Sequence, residues 1–154
     1  MKKLALLFAI ILLPLAAMAQ STFPIAKINK NIDTFWNCSV DGTTPADKCR
    51  STFLSSMKAL GLQNVYREGD GYDEESTYVF AKGCSANKRG EITKVTNKNT
   101  ACVVYYSKYM DGSFLRITFT NPNYLVTVKK YAKSHKATVK KGNKGWIYEH
   151  STGY

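Results

Sequence analysis

Histidine is scarce in this chain, with only His135 and His150 among 154 residues. Neither stands in a His-Glu-x-x-His helix or beside a nucleophile elbow. No Gly-x-Ser-x-Gly, no phosphate-cradling glycine loop and no dinucleotide fingerprint occurs. The four cysteines lack any Cys-x-x-Cys spacing, which argues against zinc. Beyond residue 19 no apolar run approaches the roughly 18 residues needed to span a bilayer. Together these absences leave no recognisable catalytic machinery, no metal or cofactor and no membrane span, so the expectation is a non-catalytic protein. A carboxylate pair assembled from distant positions, as in glycosidases, keeps a secreted hydrolase open as a weaker alternative.

What is present begins with an export signal. Lys2 and Lys3 form a basic start, Leu4 to Leu15 an apolar run, and Ala17-Met18-Ala19 a small-residue cleavage site. The expectation is a signal peptide over 1–19 with a bacterial look, no lipid-anchoring cysteine after the cut, and a product in the periplasm or outside the cell. Residues 20–154 are then one domain, long enough to bury a core. In an oxidising compartment an even cysteine count reads as disulfides. Of the three possible pairings the local one, Cys38–Cys49 with Cys84–Cys102, is favoured, each bond contributing roughly 3 kcal/mol in the loop-closure account.

Charge is unevenly placed. The chain is formally +11. From Gln20 to Ser85 seven basic residues face eight acidic ones; from Ala86 to Tyr154 thirteen face only Glu91, Asp111 and Glu149. Such asymmetry favours an anionic partner.

One helix is well signalled. Thr44 caps it, Pro45 takes its first position, Asp47 suits its positive end, and Gly61 stops it. Ala46, Cys49, Phe53, Met57 and Leu60 recur at three- and four-residue steps along one stripe. The preceding Lys27 to Val40, anchored by Ile32, Phe35 and Trp36, fits a short helix or a packed arm. After Gly61 the period becomes two. Strands are expected over 64–67, 76–84, 101–109, 113–120, 124–131, 137–141 and 146–150, and 91–95 is either a further short strand or part of a long lysine- and asparagine-rich loop between Cys84 and Cys102. Met110-Asp111-Gly112 and Asn121-Pro122-Asn123 read as hairpin turns, and Gly142 to Gly145 as a four-residue turn. The fold class is α+β: an N-terminal helix on an antiparallel meander of about five to seven strands, stapled by two disulfides.

Alternation then divides the sheet. Val79, Ala81, Val103, Tyr105, Leu115, Ile117, Phe119, Tyr124, Val126 and Val128 form the expected core face. Tyr78, Phe80, Lys82, Tyr106, Lys108, Arg116, Thr118, Thr127, Lys129 and Tyr131 form the outer one, where rings interleaved with cations suit a protein hot spot or stacking ligand. A lysine cluster from Lys129 to Lys144 suits phosphate or carboxylate groups, although lysines also protect sheet edges from aggregation. Asp70, Asp73, Glu74 and Glu75 form an acidic loop without the spacing of a calcium site. The candidate binding residues are Lys129, Lys130, Lys140, Lys141, Arg116, Tyr106, Tyr131 and Trp146. The expected partner is an acidic protein, which makes the chain an envelope inhibitor or immunity protein. The alternative partner is an anionic envelope ligand: lipopolysaccharide, a wall polymer or nucleic acid.

Overall fold

In the computed structural model the described residues are 22–69 and 75–153. The expected signal peptide and most of the acidic loop, Asp70 to Glu74, lie outside them. Two helices open the fold, α1 (Ile25–Asp41) and α2 (Ala46–Ala59). In α1, Ile25, Ile28, Ile32, Phe35 and Ser39 recur at three- and four-residue steps and all are buried. In α2, Cys49, Phe53 and Met57 do the same, and Gly61 at φ +77° ends the chain's helical run. Pro45 sits one place earlier than expected, as the residue before the first helical one. Cys38 and Cys49 are bonded, 5.8 Å between Cα atoms, and clamp α1 to α2.

Eight strands follow: β1 (Gln63–Glu68), β2 (Ser76–Lys82), β3 (Cys84–Ala86), β4 (Ile92–Val95), β5 (Cys102–Lys108), β6 (Gly112–Phe119), β7 (Thr138–Gly142) and β8 (Gly145–Gly153). Six of them form an antiparallel sheet in the order β1-β2-β5-β6-β8-β7, and β3 pairs with β4 in a separate hairpin. The sheet departs from a plain meander twice. The β3–β4 hairpin leaves the sheet between β2 and β5. A third helix, α3 (Leu125–Ser134), then carries the chain to the far edge, so that β8 returns between β6 and β7.

That helix overturns the strand expected over Tyr124 to Tyr131. The Asn121 carboxamide oxygen accepts the backbone N–H of Asn123 at 3.0 Å, and Pro122 opens a 3₁₀ turn that runs into α3. A capped, proline-led start commits the segment to helix, and Val128 and Ala132 then bury on one stripe.

The expected division of faces is also corrected. Residues directly opposite one another share a face. Tyr78, Tyr106 and Leu115 are aligned across β2, β5 and β6, as are Phe80, Val104 and Ile117. The helix-covered core is therefore built from these, with Phe119 and Tyr148, against Ile28, Phe35, Phe53 and Met57. Phe35 stacks on Phe53 at 4.5 Å between centroids, and both meet Tyr78 edge-on. Val79, Ala81 and Val103 face the other way into a smaller cluster closed by Ile92 of the hairpin. The expectation for β6 holds; for β2 and β5 it is one residue out of step.

The second disulfide is not formed. Cys84 and Cys102 are free thiols. Cys102 belongs to the helix-side core, whereas Cys84 packs against the hairpin-side cluster, so the two side chains diverge around Gly83. The Cys84 thiol instead donates to the Cys102 carbonyl oxygen at 3.4 Å.

Candidate binding surface

The eight residues singled out from the sequence fall on separate parts of the molecule. Tyr106 is no surface residue: it is fully buried in the main core, where burial pushes its phenol well above the usual range. Lys129 and Lys130 are exposed on α3. Tyr131, half-buried on the same helix, stacks on His135 with 3.8 Å between ring centroids. On the edge strand β7, Lys140 pairs with Glu149 at 2.6 Å. Its neighbour Lys141 lies on the opposite face, 5.7 Å from the Trp146 ring, and that ring stacks on Phe119. Lys141 and Trp146 are brought together and Lys129, Lys130 and Tyr131 share α3, whereas Tyr106, Arg116 and Lys140 stand apart.

Arg116 leads to a surface that alternation had hidden. Register places Tyr66, Val79, Tyr105, Arg116 and Glu149 in one row across five strands, all on the face opposite α1 and α2. The next row on that face carries Thr77, Ser107 and Phe114. The hairpin covers only part of this side. The uncovered part is a shallow depression of about 450 Å³, lined by Tyr66, Tyr105, Tyr109, Phe114, Arg116 and the hairpin residues Lys88 and Arg89, among others.

Its geometry is held from below. The Arg116 guanidinium lies 5.1 Å from the Tyr105 ring centroid and donates to the Arg89 carbonyl oxygen, which ties the hairpin tip to the sheet. Phe114 meets Tyr105 edge-on at 6.1 Å. The tip itself is fixed by Asn87, whose carboxamide oxygen accepts from the backbone N–H of both Arg89 and Glu91 at 3.0 Å. Gly90, at φ +72°, lets the tip lie directly on Tyr105; an added Cβ would come within 2.7 Å of the Tyr105 Cβ. On the other flank the Lys144 ammonium donates to the Ile92 carbonyl at 2.6 Å. At the rim, the Tyr66 hydroxyl donates to the Glu68 carboxylate at 2.6 Å, and that bond is the main reason its phenol is raised. The floor is thus aromatic and the rim cationic, with the one carboxylate of the depression already engaged.

No family model, curated protein or solved structure matches this chain. Function must come from geometry.

Sequence reasoning missed Tyr66, Tyr105, Phe114, Lys88 and Arg89. Tyr105 was placed in the core because its strand was read one residue out of step. The signal that finds it is Glu91 to Val95: once that segment is a strand rather than a loop, β2 and β5 need apolar residues on both faces. Among the described residues, no group of three or more His, Cys, Asp and Glu side chains is placed to hold a metal ion, and no helix is long and apolar enough to cross a membrane.

Proposed function

We propose that the chain is an exported bacterial binding protein without catalytic activity, which docks on an acidic protein in the cell envelope as an inhibitor or immunity protein. The observation that carries this reading is the aromatic depression of Tyr66, Tyr105 and Phe114 under Arg116, Arg89 and Lys88. Rigid aromatic side chains supply contact area at small entropic cost, arginine is enriched at binding hot spots, and a cationic rim steers an acidic partner to the surface. The depression rests on a six-stranded sheet and a tethered hairpin, so little order is lost on docking.

The test is isolation of a stoichiometric complex from envelope extracts, repeated with Arg116→Ala and Phe114→Ala. Each substitution is expected to weaken the complex by at least about 2 kcal/mol, roughly thirtyfold. Lys129→Gln, remote on α3, is expected to leave it intact. Failure to recover any complex, or equal loss with all three variants, would reject the reading.

A second reading has its own support. Between Asp111 and Glu149 the sequence has eight basic residues and no acidic one. Lys129, Lys130 and Lys133 on α3 lie beside the edge strand, whose Lys141 is on the same helix-side face. This ridge suits an anionic envelope polymer rather than a shaped protein cleft.

A further inference from the structure

On the helix side of the sheet, a cavity of about 490 Å³ opens where the middle of α1 meets the start of β6 and the ends of α3 and β8. Asn29, Asp33 and Trp36 come from α1. Asp111 and Ser113 come from the β5–β6 hairpin, and Tyr131, His135 and His150 close the far side. Both histidines of the chain meet here, from segments that no motif connects.

The charge of this cavity runs against that of the molecule. A chain with twice as many basic as acidic residues lines it with two carboxylates and with no lysine or arginine. Among the described residues neither Asp33 nor Asp111 takes part in a salt bridge. Burial, together with its neighbour His135, holds His150 below the usual imidazole range, so it adds no charge at neutral pH. His135 places Nδ1 2.9 Å from both the Tyr131 carbonyl oxygen, to which it donates, and the Ser134 hydroxyl, which leaves Nε2 without a partner among the described residues. Trp36 and Tyr131, both half-buried, supply aromatic faces. The Lys108 ammonium lies 5.5 Å from the Trp36 ring but is 95% buried, outside the lining.

Polar groups that the fold leaves over lie close to the cavity, outside its lining. The hydroxyls of Tyr106 and Tyr148 are buried and make no hydrogen bond. Each lies close to a lining side chain, Ser113 for Tyr106 and Asn29 for Tyr148, which partly offsets the effect of burial on its phenol.

We infer that this cavity is a binding site for a small organic ammonium compound, held between the Trp36 and Tyr131 rings and the carboxylates of Asp33 and Asp111. Aromatic faces attract a cation through their quadrupole, and the attraction strengthens where water is partly excluded. The carboxylates give the charge its counter-ion, the His150 imidazole accepts from an N–H or O–H group on the ligand, and the volume suits a compound of that size. The site is independent of the docking surface, which lies on the opposite face of the sheet.

The chain's two tryptophans make the test direct, because Trp36 lines the cavity and Trp146 is remote. The purified protein is titrated with choline and with its uncharged isostere 3,3-dimethylbutan-1-ol, and the two indole N–H resonances are followed by NMR. Choline is expected to move the Trp36 resonance saturably at about millimolar concentration while leaving Trp146 in place, and the isostere to move neither. Asp33→Asn, an exposed position whose loss leaves the amide spectrum dispersed, is expected to weaken choline by about tenfold. Equal response to both compounds, movement of Trp146 alongside Trp36, no saturable shift by about 50 mM, or indifference to Asp33→Asn would each overturn the assignment.

Discussion

Cys84 and Cys102 are eighteen residues apart in sequence and adjacent in space, yet they belong to different cores. Burial pushes the Cys102 thiol up to about 12 and raises that of Cys84. Neither is then an appreciable thiolate at neutral pH. In the native protein both are expected to react slowly with a thiol reagent at pH 7, Cys84 before Cys102, and faster as pH rises. In denaturant, without reductant, two thiols per chain are expected. A count of zero would restore the cross-link that the geometry denies. The buried phenols at residues 106 and 148 make a second prediction. Burial raises the phenol of Tyr148 to about 12 and that of Tyr106 further. A phenol raised on folding contributes stability below its unfolded pKa of about 10, and that stability drains away as pH climbs towards the folded value. The protein is therefore expected to unfold in alkali between about pH 10 and 12, with late tyrosines ionising together with the loss of structure. Tyr106→Phe removes a hydroxyl that was desolvated without a partner, so thermal or urea unfolding is expected to show no loss and a gain of up to about 1 kcal/mol.

At the scale of elements, α3 shows what alternation hides. Leu125-Val126-Thr127-Val128 is as strand-like as any run in the chain, yet the Asn121 cap and Pro122 decide against it. The price is Val126, 79% exposed on a helix that a β-branched residue does not favour. Val126→Ala is expected to stabilise the protein by about 0.5 kcal/mol and Asn121→Ala to destabilise it by about 1 kcal/mol, read as shifts in urea midpoint. The opposite result for both would mean that packing, not the cap, selects the helix. Much of the fold was legible for the same kind of reason: α2 carries a stripe and stop signal, β5 and β6 a turn between matched runs, and Cys38–Cys49 a short loop between two helices. The faces were not legible, because β2 and β5 are buried on both sides. Reading Val79 or Tyr78 as inward is equally consistent with local pattern when a hairpin covers one side and helices the other. The candidate site suffered from that slip: it retained Arg116, lost Tyr105 to the core, and offered Tyr106 in its place.

Over the whole molecule, charge separates three surfaces that differ in what they repel as well as in what they attract. The depression on the hairpin side combines rings with a few cations, the α3–β7 ridge is rich in lysine, and the cavity beneath α1 is a negative spot on a basic protein. Lysines on a solvated ridge should behave as point charges, each releasing counter-ions when it meets a polyanion, so affinity should fall steeply with salt. A shaped aromatic contact should depend on salt far less, since apolar burial and ring packing do not screen. The two readings of function therefore differ in slope rather than in affinity alone. Binding of a polyphosphate to the protein, measured across a series of salt concentrations, is expected to give a steep line in log K against log salt. The double variant Lys129→Gln, Lys130→Gln should reduce that slope by about 1.5 while Arg116→Ala barely changes it. For the acidic-protein complex the order should invert, with Arg116→Ala removing most of the affinity at every salt concentration. If the lysine pair instead governs both slopes, the ridge is the working surface, and the aromatic depression serves only to seat the hairpin.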